Sequence, residues 1–127
     1  MTKITSITRD CLNLIIESAR STHPREFAGL LSAEKNVITE VVMLPGTISG
    51  SAHAIFQLHM APIDFSLVGT VHSHPSYSAQ ASDADMELFQ KYGRIHIIIA
   101  MPYTQETWRA YTGAGEGTSL TVIEDEF

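Results

Sequence analysis

Val71-His72-Ser73-His74-Pro75-Ser76-Tyr77-Ser78-Ala79-Gln80-Ala81-Ser82-Asp83-Ala84-Asp85 places three candidate metal ligands, His72, His74 and Asp85, in one short span of a lightly charged chain. The preceding run Val68-Gly69-Thr70-Val71 reads as a buried strand leading into the histidines. Residues two apart on a strand share a face, so His72 and His74 can converge on one ion while Ser73 points away. Asp85 follows a loop of small and polar residues. Two imidazoles and one carboxylate leave the fourth position of a tetrahedral zinc open for water, the arrangement of a catalytic site. A structural zinc would fill all four positions, usually with thiolates, and Cys11 is the single cysteine.

A plainer reading stands beside this one. Ser82 precedes Asp83-Ala84-Asp85-Met86-Glu87-Leu88-Phe89, which looks like a helix start with Ser82 as N-cap and Asp85 as third residue of a capping box. Asp85 could serve only to close that end, and a strand histidine is commonly a hydrogen-bonded core residue. The two readings coexist, because a helix N-terminus is a rigid place from which to aim a carboxylate. Upstream, Glu26 in Ser21-Thr22-His23-Pro24-Arg25-Glu26-Phe27-Ala28-Gly29 stands at the mouth of an apolar, extended run. It is the candidate general base; the alternative is a solvated loop carboxylate.

With Glu26 after a first helix, then His72-Ser73-His74-Pro75, seven residues between His74 and Ser82 and two more before Asp85, the chain resembles the JAMM (MPN-plus) metalloproteases. The match has no departure from that motif and is most similar to the compact prokaryotic, particularly archaeal, members. The resemblance implies an α/β fold with a mixed, curved central sheet flanked by two main helices, cytidine-deaminase-like. It implies one catalytic Zn2+ on His72, His74 and Asp85, with Glu26 as base and Ser82 as oxyanion donor. The implied activity is cleavage of isopeptide or peptide bonds after the C-terminal tail of ubiquitin or a ubiquitin-like protein, whose conjugates would be the partners.

In such a site zinc acidifies water, Glu26 takes the proton, and the Ser82 hydroxyl helps to stabilise the developing oxyanion. Water being the nucleophile, Ser73 and Cys11 are expected to be dispensable. Three alternatives remain open: a JAMM peptidase releasing an amino acid from a sulfur-carrier protein, a non-catalytic MPN scaffold, and a zinc hydrolase of small amides.

Composition narrows the classes. The 127 residues suit one domain, expected to span 1–127, with a single core. A hydrophobic fraction of 44% against 17% charged is that of a folded globular protein. The net charge of −6 and the absence of a basic patch argue against nucleic acid. Glu124, Asp125 and Glu126 read as a solvated tail. No run is apolar enough for a membrane span and no signal peptide is visible. The lone Cys11 excludes an intrachain disulfide, and a cytoplasmic location is the expectation.

Further elements follow from pattern. Thr8-Arg9-Asp10 starts a helix with Leu12, Ile15, Ile16 and Ala19 on its apolar face, ending before Pro24. Residues 27–32 and 37–44 read as strands joined by a turn at Glu34-Lys35-Asn36. Residues 45–51 read as a loop, 52–58 as a short edge strand suited to bind an extended tail, and 61–64 as a brief helix or turn. The second helix is expected over 82–92, stopped by Gly93, before an apolar strand over 95–101. Strands at 107–111 and 119–123 are expected to pair across the glycine-rich segment 113–117. His23, His53 and His59 read as surface histidines and His96 as a core imidazole; Tyr103, Trp108 and Tyr111 are expected to pack the core or its edge.

Overall fold

The computed structural model of the protein describes residues 3–43, 66–91 and 93–124. The elements run β1 (Ser6–Thr8), α1 (Arg9–Thr22), β2 (Ala28–Glu34), β3 (Val37–Met43), β4 (Leu67–His74), α2 (Asp83–Lys91), β5 (Ile95–Ala100), β6 (Trp108–Thr112), β7 (Gly117–Thr118) and β8 (Thr121–Ile123). Expected features at 45–51, 52–58 and 61–64, with His53 and His59, lie outside the described residues.

The eight strands form one sheet in the order β7-β6-β5-β4-β2-β3-β1-β8. It is mixed: β1 runs parallel to β3 and β8, β4 runs parallel to β5, and β2 lies antiparallel to both β3 and β4. β7 and β8 stand at opposite ends of the strand order yet are separated by only Ser119 and Leu120. Three residues of chain span at most about 11 Å, so the two margins must curl toward each other. The curved sheet expected from the motif is therefore present.

α1 fills the concavity. Thr8 caps it, its hydroxyl accepting from the Cys11 amide at 3.1 Å. Cys11, Leu12, Ile15, Ile16 and Ala19 recur at helical spacing and are buried against Ile7, Leu31, Ile38, Val71, Ile97 and Ile99. Each such aliphatic side chain contributes roughly 1.5–3 kcal/mol on leaving water. The opposite face carries α2, whose Phe89 packs with Ile98 and Tyr111. β5 shows the alternation: Ile95, Ile97 and Ile99 join the α1 side, while Ile98 and His96 turn to the α2 side.

The close approach of β4 and β5 depends on one residue without a side chain. A Cβ on Gly69 would sit 1.5 Å from the Ile95 carbonyl oxygen, its partner in the register. Gly93, with φ +95, turns the chain out of α2, and the Arg94 amide then bonds the Val68 carbonyl at 2.7 Å.

One strand expectation needs correcting, and one strand was not foreseen. The segment 119–123 does not pair with β6. β6 pairs instead with the two-residue β7, at Ala110↔Thr118 and Tyr111↔Gly117, while β8 joins β1 in parallel at the far margin. Leu120 and Val122 pack on the α1 core, and burying them requires the chain to leave β6 and cross the gap. β1 was not foreseen; three residues carry too short a pattern to read. No helix among the described residues is long and apolar enough to cross a membrane.

Candidate active site

β4 continues through both histidines, ending at His74. Thr70, His72 and His74 therefore face α2, and Ser73 faces the other way, as the two-residue period demands. Ser73 is fully buried and closes a two-bond clasp: its hydroxyl accepts from the Phe27 amide at 2.8 Å, and its own amide donates to the Phe27 carbonyl at 2.9 Å. This clasp fixes the start of β2, and with it the residue immediately before Phe27, Glu26. Glu26 is half-buried, and its charge acts on His74.

α2 delivers the carboxylate. The Ser82 hydroxyl accepts from the Asp85 amide at 3.1 Å, and Asp85 Oδ2 accepts from the Ser82 amide at 2.9 Å. This is the expected capping box with aspartate in place of the longer acid. The same carboxylate spans both histidines: Oδ1 lies 3.1 Å from His72 Nε2 and Oδ2 lies 3.1 Å from His74 Nε2. Asp85 thus caps the helix and joins the cluster.

The donor set fits a cation. His72 Nε2 and His74 Nε2 are 3.2 Å apart. Bonds of 2.0–2.1 Å in a tetrahedron give ligand–ligand edges of about 3.3 Å, close to these separations. The His74 Nδ1–H donates to the Ser78 carbonyl at 3.1 Å, so the neutral ring offers a bare lone pair at Nε2. With His72 in the same tautomer, lone pairs of two imidazoles and a carboxylate converge, and only a positive charge among them makes that favourable. Anchoring the far nitrogen on a backbone carbonyl is also what orients a ligating imidazole. Among the described residues, His72, His74 and Asp85 are the one group of three such side chains with metal-ligand geometry.

Electrostatics agree. When the imidazoles carry protons at Nε2 in place of an ion, burial pushes the Asp85 carboxyl up, but hydrogen bonds from His72 and His74 and from the Ser82 amide outweigh it and hold the group well below the usual carboxylate range. The hydrogen bond with Asp85 raises the His74 pKa against the opposing effect of burial, and Glu26 adds to the rise.

Other expected residues fall where the pattern put them. His96 is fully buried, stacked on Phe89 with centroids 4.3 Å apart and Nδ1 2.6 Å from Thr70 Oγ1. Tyr103 and Tyr111 are buried, Trp108 half-buried. His23 is exposed, but its ring contacts Tyr103, a pairing that spacing along the chain could not announce. An open cleft of about 410 Å³ lies along β6, β7 and Ser119-Leu120, away from the histidines, and contains none of the cluster.

The chain is similar to known proteins both in sequence and in structure. Residues 8–112 match the family of prokaryotic homologues of the JAB domain. A probable metalloprotease of Haloferax volcanii is 36% identical over 132 residues, covering 96% of this chain and 81% of its own length. A JAB1/MPN domain protein of Archaeoglobus fulgidus superposes with a TM-score of 0.76 at 37% identity, over 94% of this chain and 97% of that one. A second solved structure, described as JAMM, a metalloprotease-like zinc site in the proteasome and signalosome, gives 0.77 at 37% identity, over 96% of this chain and all of that one. The chain belongs to the compact prokaryotic JAB (JAMM/MPN) family, and its His72, His74 and Asp85 cluster fits a single zinc ion.

Proposed function

We propose that the protein is a zinc-dependent peptidase that cleaves isopeptide or peptide bonds after the C-terminal tail of a ubiquitin-like modifier. The observation that carries this reading is the convergence of His72, His74 and Asp85 beside a clasped loop that carries Glu26. When bound there, zinc supplies Lewis acidity, which polarises a carbonyl and acidifies water. Glu26 accepts the proton of the attacking water and passes it to the departing amine. Its neighbour Phe27 is tied to Ser73 between the two histidines, which sets where the carboxylate stands relative to them. Ser82 receives the Asp85 amide on a lone pair, which leaves its own hydrogen to donate toward an oxyanion. Capping and catalysis therefore draw on different parts of one hydroxyl.

The substrate assignment rests on the family resemblance, and the complete donor set supports an enzyme over a scaffold. The test is incubation of zinc-loaded protein with small ubiquitin-like conjugates of its host, followed by sequencing of the products. Release of an intact modifier ending at its tail is expected, with loss of cleavage on chelation. Removal of a single amino acid from a carrier protein would replace this substrate class, and no hydrolysis by zinc-loaded protein would end the enzymatic reading.

A further inference from the structure

We propose that the His23–Tyr103 pair is a positioning clasp for Glu26, holding the α1–β2 loop at the end opposite its Phe27–Ser73 bonds. It rests on the reading of Glu26 as the base. Residues 23–27 carry the chain from the end of α1 to the start of β2. At their far end Phe27 is bonded twice to Ser73. At the near end the His23 amide closes α1 on the Ala19 carbonyl at 3.1 Å, and the Arg25 amide bonds the Thr22 carbonyl at 3.0 Å. The His23 ring then reaches across the fold: Nδ1 lies 2.7 Å from Tyr103 Oη, and the rings meet edge to face with centroids 5.5 Å apart.

Tyr103 is a firm anchor. It is buried, with φ +60, a left-handed conformation that bulky side chains rarely adopt and that persists where surroundings over-determine it, often beside functional sites. Its amide bonds the Ala100 carbonyl at 2.9 Å, and in the same turn the Met101 amide bonds the Ser76 carbonyl at 2.8 Å. One turn thus bonds both margins of the site: Ser76, two residues beyond His74, and His23, three before Glu26. A buried tyrosine satisfying its hydroxyl needs only one acceptor. A strut touching both loops does more, because it sets the distance between the base and the cluster. Displacing a reacting group by about 1 Å can cost on the order of a hundredfold in rate.

The experiment compares Tyr103→Phe, which keeps the ring and removes the hydroxyl, and His23→Ala at an exposed position, each alone and with Glu26→Gln. Turnover is measured on a fusion whose scissile bond follows a ubiquitin-like tail, with zinc content and amide exchange of residues 25–27 measured on the same proteins. Expected are a fall in kcat of about tenfold or more, KM within about twofold, full zinc, and faster exchange at Arg25 and Glu26 but not within α1. His23→Gln, which returns an acceptor to the hydroxyl, should recover part of the loss. On the Glu26→Gln background the clasp variants should lower residual turnover no further. Wild-type kcat and exchange in folded Tyr103→Phe and His23→Ala would overturn the clasp, as would the same fold-loss with and without Glu26. If Glu26→Gln alone cleaves at the normal rate, the assignment of the base fails, while the exchange measurement still reports whether the clasp holds the loop.

Discussion

Ser82 and Asp85 hold each other by two reciprocal hydrogen bonds, and the Asp85 oxygen that accepts from the Ser82 amide is the one 3.1 Å from His74. Helix capping and ligand aim are thus one interaction. Replacing Ser82 by alanine removes the hydroxyl but keeps the amide that braces the carboxylate. Ser82→Ala should cost about 1 kcal/mol of stability through the lost cap. If the hydroxyl also serves the oxyanion, turnover should fall on the order of a hundredfold with KM little changed. Thermal unfolding and kinetics on this one variant separate the roles; unchanged turnover would leave Ser82 a cap alone.

Binding and chemistry should come apart at Glu26. Glu26 is read as the base and not as a ligand, and its neighbour Phe27 is tied to the ligand strand whatever stands at position 26, so Glu26→Gln should keep zinc while hydrolysis falls to a small residual rate. His74→Ala and Asp85→Ala each remove one of three converging donors and should lose metal and activity together. Metal analysis of the purified variants beside their turnover checks both statements.

His96 sets an acid limit on stability. Burial pushes its pKa down to about 4, while the unfolded chain titrates it near the ordinary imidazole value of about 6.5. Above that value neither state holds the proton and the contribution is present in full. As pH falls, the unfolded chain protonates first, so stability drops progressively until about pH 4, by on the order of 3 kcal/mol in total. In zinc-free protein the raised His74 acts above this window and the depressed Asp85 below it. Urea unfolding between pH 7 and 4.5 should show the slope in wild type and a flatter one in His96→Gln.

Cys11 should be inert. It is buried in α1, and its thiol is pushed up to about 12 by burial first and the Glu40 carboxylate second. Thiol alkylation at pH 8 should mark it only in unfolded protein, and Cys11→Ala should hydrolyse at the wild-type rate. Labelling of native protein with loss of activity would contradict this.

Legibility in the sequence followed the range of the interactions. Leu12, Ile15, Ile16 and Ala19 repeat at the helical period, and His72, Ser73 and His74 alternate at the strand period, so α1 and the ligand face could be read directly. Ser82 and Asp85 lie within one helical turn, and their pairing was equally local. The path of 119–123 was hidden because it depends on curvature: a glycine-rich turn promises a hairpin, but nothing near it tells that β1 waits across the gap. His23 and Tyr103 are 80 positions apart and meet through side-chain tips alone. No periodicity encodes such a contact.

The alternation of Ser73 between His72 and His74 has a consequence for how the chain reaches its native state. A slip of β4 by one position against β2 would turn both imidazoles toward the α1 face and carry Ser73 into the cluster. Such a molecule would offer one serine and one distant carboxylate, and it could not retain the ion. Zinc therefore discriminates between registers and, by mass action, draws the population toward the correct one. The metal is then an inspector of assembly before it is an instrument of hydrolysis.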